Sequence, residues 1–222
     1  CWLPEIRGMG KIINDSEEAV ISRKNFPGHK DVHHYQKILE KSFVECFRVL
    51  KPESFLVLTF NNREPRAWAS LLIAISKAGF EFPKNGVIFQ DGVSAYKHTS
   101  QSRRNGSVIG DFIFSFKKPL LKKKKINRNS KNSKIDYQDL LIKSIRNILT
   151  KKGPTSPTEL MKEIYKENIP KFLEQIKSFK TELDYETFLN DIDRVKIFDS
   201  HQKVFLEKYF YYDGEKWSLG NN

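Results

Sequence analysis

The sequence predicts an α/β fold followed by a small, mainly helical region, and three observations carry that prediction. First, an apolar stripe at helical spacing ends at Leu50 and runs through Pro52 into the continuous apolar stretch 55–60, which reads as a helix entering a strand. Second, the pattern repeats: a proline-opened apolar stripe stops at Gly79, and more strand-like sequence follows. Third, beyond a basic tract at residues 117–134 the periodicity is helical almost to the end.

Each element has a local reason. Asp31 can accept from the free N–H groups of a helix start, and Tyr35, Leu39, Phe43, Cys46, Phe47 and Leu50 then recur at three- and four-residue steps on one face. Pro52 stops that helix, and Phe55-Leu56-Val57-Leu58-Thr59-Phe60 forms the strand. Pro65 suits the first turn of a second helix whose inward stripe is Trp68, Leu71, Leu72 and Ile75, with Gly79 as its C-terminal stop. Residues 80–89 predict a strand interrupted by a turn near Asn85-Gly86. Residues 110–116 predict another, with Phe112, Phe114 and Phe116 on one face and Asp111, Ser115 and Lys117 on the other.

After the tract, Tyr137, Leu140, Leu141, Ile145, Ile148 and Leu149 form a helical stripe. Ser156-Pro157-Thr158-Glu159 is a capping box opening a helix with Leu160, Ile164 and Tyr165. Phe172, Ile176 and Phe179, then Tyr185, Phe188, Leu189 and Ile192, predict further short helices, and Asp213-Gly214 before Trp217-Ser218-Leu219 predicts a hairpin. Short helices followed by a hairpin predict a winged-helix arrangement. The expected organisation is therefore a first domain over 1–116, a linker over 117–134 and a small helical accessory domain over 135–222.

The net charge of +12 is unevenly placed: residues 1–116 carry +4, residues 117–134 carry nine Lys and Arg against no acid, and residues 135–222 carry −1. A polycationic, Asn- and Ser-rich tract reads as a solvated tether, and near a polyanion it gains by releasing counterions, so Lys122, Lys123, Lys124 and Lys125 are candidate DNA contacts. The loop 90–107 is a second candidate. Its Lys97, His98, Gln101, Arg103 and Arg104 combine phosphate-directed charge with groups able to read base edges. The acidic balance of 135–222 argues against a DNA-reading surface there and favours protein docking or an inert accessory role.

Other chemistries lack support. No apolar run approaches the ~20 residues that span a bilayer. Cys1 and Cys46 fit no paired metal spacing, the adjacent His33 and His34 point to different sides of a helix start, and no Gly-x-Ser-x-Gly nucleophile turn occurs. The expectation is a cytoplasmic protein without a membrane partner. The chain starts at Cys1, which predicts that it is part of something longer.

Arg48-Val49-Leu50-Lys51-Pro52 at the helix-to-strand step resembles the Arg-Val-Leu-Lys-Pro-Gly-Gly segment of class I methyltransferases, which use S-adenosylmethionine. The helix ending Ala78-Gly79-Phe80, the loop 96–102, the closing strand 110–118 and Trp2-Leu3 are similar to parts of the adenine-specific DNA methylases. The resemblance covers about residues 1–118. It implies the C-terminal half of a Rossmann-like sheet, three strands and two main helices, whose last strand runs antiparallel between its neighbours. It also implies methyl transfer from S-adenosylmethionine to DNA, at adenine N6, within restriction-modification.

Two departures qualify the resemblance. Glu53-Ser54 stands where the family has Gly-Gly, and a type I turn with Pro52 at its second position would spare Glu53 a left-handed backbone. The family's Asp/Asn-Pro-Pro-Tyr/Phe motif, which holds the extruded base, is absent, and Gly8-Met9-Gly10 lacks the strand that should precede a cofactor turn. No catalytic or cofactor-binding residue is therefore assigned, and no cofactor is expected on this chain alone. A missing N-terminal catalytic half, in the same polypeptide or a separate chain, is expected as partner. The alternative is a non-catalytic nucleic-acid-binding or specificity subunit with a degenerate methyltransferase fold. An uncovered edge on the strand 55–60 predicts self-association of the isolated chain.

Overall fold

The computed structural model describes residues 18–22, 28–62, 64–83, 85–92, 110–120, 136–193 and 206–220. They form, in order, α1 (Val32–Val49), β1 (Phe55–Phe60), α2 (Pro65–Lys77), β2 (Val87–Asp91), β3 (Gly110–Lys117), α3 (Tyr137–Lys152), α4 (Pro157–Ile176), α5 (Glu182–Asp193), β4 (Phe210–Tyr212) and β5 (Trp217–Leu219).

The fold is mixed α/β. Its main sheet has three strands in the order β1-β3-β2, with β3 antiparallel to both neighbours. A parallel Rossmann-like sheet is not present among the described residues, because β3 takes its hydrogen bonds from β1 on one side and β2 on the other. Register places Phe60 and Phe89 opposite Phe112, and Leu58 and Val87 opposite Phe114, so period-two alternation gathers the apolar side chains on one face. Phe112, Phe114 and Phe116 are buried there.

α2 covers that face. Every residue from Ala67 to Ile75 is buried, as expected for a helix surrounded on all sides. Trp68 meets Phe60 edge-on at 4.7 Å and Phe112 at 5.2 Å. Around α2 pack α1, α4 and α5. The main core also takes in Tyr137, Ile169, Leu173 and Phe188, so it is shared by segments on both sides of the basic tract. A second cluster, built on Ile145, Leu160, Leu206, Phe210 and Trp217, joins α3 and α4 to the β4–β5 hairpin. Thr155 exchanges two 2.8 Å backbone bonds with Trp217 and so lays the α3–α4 connection beside that hairpin.

Several local expectations need correction. The strand expected over 80–89 is β2 at Val87–Asp91, since the chain turns at Pro83–Gly86 and, among the described residues before that turn, only Glu81 bridges, to Lys117. Phe172 and Ile176 do not start a new helix, because α4 continues through Pro170. The turn after α1 is not type I. Ser54 N–H donates to Lys51 O at 3.2 Å while Glu53, at the third position, has φ 64°, the left-handed geometry of a type II turn.

Candidate nucleic-acid interface

Lys97, His98, Gln101, Arg103, Arg104 and Lys122 to Lys125 lie outside the described residues; the structure describes where their segments attach. The loop leaves the sheet between Asp91 and Gly110. Asn61 Nδ2 donates to Gly110 O at 2.5 Å, and Gly110 has φ 137°. A Cβ there would sit 2.2 Å from Gln90 O, so only glycine closes this stem.

Asp91 is tied to α4 by Lys162, whose ammonium lies 2.9 Å from Asp91 Oδ1 and 4.7 Å over the Phe89 ring. Desolvation works against the Lys162 charge, but the bond to Asp91 and the field of Glu159 outweigh it and raise its pKa. Glu159 is desolvated too, and the bond from Lys152 with the charge of Lys162 still holds its carboxyl below the ordinary range. This ion-pair network joins the loop stem to the helices after the tract.

The other end of β3 is equally fixed. Lys117 pairs with Glu53, and Leu120 N–H donates to the other Glu53 oxygen at 3.0 Å. Lys118 is buried, 7% exposed, and donates to Phe47 O at 2.5 Å and Leu50 O at 2.7 Å, the carbonyls that end α1. Its charge meets the negative end of the helix with the Phe47 ring 4.7 Å beneath it. Lys117 and Lys118, read from the sequence as the start of a solvated tether, are thus parts of the fold. The two basic segments leave opposite ends of β3, about 24 Å apart at the antiparallel rise per residue.

The histidines behave as the sequence implied. His33 Nδ1 lies 3.2 Å from Glu186 on α5, whereas the His34 ring bonds Glu18 O at 3.1 Å. Among the described residues no group of three His, Cys, Asp or Glu side chains is placed to hold a metal, and no helix is long and apolar enough to cross a membrane. Sequence reasoning missed Glu53, Lys118 and the Asp91–Lys162 pair. Their partners lie 64 or more positions away, beyond any periodic signal. Against known proteins, no family, no curated protein and no solved structure matches this chain.

Proposed function

We propose that the chain is part of an S-adenosylmethionine-dependent DNA methyltransferase acting on adenine N6, with its catalytic motif outside these residues. The observation that carries the reading is the Arg48–Pro52 step from α1 into β1, set in a sheet where β3 runs antiparallel between two strands of common direction. In this reading β1, β2, α1 and α2 close the enzyme's sheet. The basic loop and tract contact the DNA backbone, and the helices after the tract form with the hairpin a winged-helix-like accessory unit, in which α3 and α4 meet the hairpin beside the Thr155–Trp217 bridge. A catalytic half, from the same polypeptide or another, supplies the cofactor site and grips the flipped base.

The absence of Pro-Pro anywhere in the 222 residues favours a second reading, a nucleic-acid-binding or specificity subunit without catalysis of its own. The coding sequence immediately upstream of Cys1 separates the two. An in-frame Asp/Asn-Pro-Pro-Tyr or Phe supports the enzyme, and a start codon there with no neighbouring gene bearing that motif overturns it. Calorimetry on the chain alone is expected to detect no micromolar S-adenosylmethionine binding.

A further inference from the structure

In the order β1-β3-β2, β1 is an edge strand, and among the described residues no strand pairs with its far side. The bond from Lys118 N–H to Ser54 O sets the alternation, so Phe55, Val57 and Thr59 each turn an N–H and a C=O away from β3. Edges of this kind are ordinarily blunted by charge, by proline or by short length. Phe55–Phe60 carries no charged residue, no proline and no glycine. β2, at the opposite edge, is five residues long and ends on Asp91, held at 2.9 Å by Lys162 of α4.

The free edge of β1 is complementary to itself. An identical strand running the other way meets each outward N–H with a C=O and each C=O with an N–H, and no like charges come together because the segment holds none. One register pairs all three outward residues: Val57 with Val57 of the second copy, Phe55 with Thr59 and Thr59 with Phe55. A shift of two residues either way sets Thr59 against Glu53, in its left-handed turn, or Phe55 against Asn61, which is tied to Gly110. The chosen register also brings the exposed Val57 side chains together and lays Phe55 beside Thr59. We propose that this edge is a dimer interface, in which two copies of the chain pair β1 to β1 about a twofold axis at Val57 and join their sheets into one of six strands. The contact is isologous, so it closes at two copies and does not grow into a fibre.

The test uses the full 222-residue chain with Cys1→Ser and Cys46→Ala, carrying one new cysteine at a time on exposed positions of β1. Sedimentation should show a monomer–dimer equilibrium that stops at two copies. On mild oxidation Val57→Cys should cross-link into a covalent dimer, its Cα about 5.5 Å from the same residue of the second copy. Phe55→Cys and Thr59→Cys should each fail to cross-link alone, since equal positions lie about 14 Å apart along the strands, yet cross-link to one another when mixed. A monomeric parent leaves the edge to a strand from another protein and overturns the proposal. Assemblies larger than the dimer overturn it too, as do self-cross-linking of Thr59→Cys to the level of Val57→Cys or failure of the mixed pair.

Discussion

Glu53 shows how one residue can hold a backbone geometry that suits glycine. Its left-handed φ costs about 1 kcal/mol relative to glycine, and its carboxylate offsets that cost by taking Lys117 and the Leu120 N–H. Glu53→Gly should therefore leave stability within about 0.5 kcal/mol of the parent, whereas Glu53→Ala keeps the strain, loses both contacts and should fall about 1 kcal/mol below Glu53→Gly in urea unfolding. Equal stabilities for the two variants would contradict the turn assignment. Lys118→Met leaves the Phe47 and Leu50 carbonyls without their donor and should cost about 2 kcal/mol by the same measurement. Asp31 at the start of α1 adds a pH dependence. Its carboxylate accepts from His34 N–H, which with the nearby His33 lowers its pKa despite some desolvation. A lowered folded-state pKa means its stabilisation is present above the unfolded value near 3.8 and is lost as pH falls through the folded value. The cost of Asp31→Ala, about 1 kcal/mol at pH 7, should disappear in strong acid.

At the scale of elements, the parts governed by local rules were legible in the sequence. The caps at Asp31 and Ser156, the prolines opening α2 and α4, and the alternation of Phe112, Phe114 and Phe116 each need only neighbours a few residues away. The turn at Glu53 and the length of α4 were not legible. The first depends on Lys117 across the sheet, and the second on packing strong enough to carry a helix through Pro170. The candidate site was legible only as composition. The sheet edge raises its own prediction. Lys118 N–H donates to Ser54 O, so by alternation the backbone groups of Phe55, Val57 and Thr59 face away from β3. Among the described residues no strand pairs with that edge, and the Phe55 and Val57 side chains beside it are 52% and 61% exposed. The chain should self-associate at micromolar concentration, and Val57→Lys should reduce this in sedimentation with stability changed by no more than about 0.5 kcal/mol. A monomeric parent under those conditions would refute it.

For the whole molecule, the decisive quantity is how its charge is distributed relative to the rigid frame. The excess sits in residues 1–134, and its two densest segments attach to opposite ends of β3, the loop at Gly110 and the tract beyond Leu120. Both attachment points are fastened, one by Asn61 and the Asp91–Lys162 pair, the other by Glu53 and the buried Lys118. If these segments hold the DNA backbone, affinity should fall with salt in proportion to the phosphates each neutralises. Replacing Lys122, Lys123, Lys124 and Lys125 by Ala should lower the slope of log K against log salt by as much as about 3.6, and replacing Arg103 and Arg104 by about 1.8. If the two segments engage separate phosphates, as attachment points about 24 Å apart allow, the two sets of losses in binding free energy should add within about 0.5 kcal/mol. A single continuous patch would instead give losses well short of additive, because removing either half would already release the DNA from the other. Fluorescence anisotropy across a salt series on the parent, the two multiple variants and their combination measures both quantities. A parent without salt-dependent binding, or variants with the parent's slope, would remove DNA from the assignment of these segments.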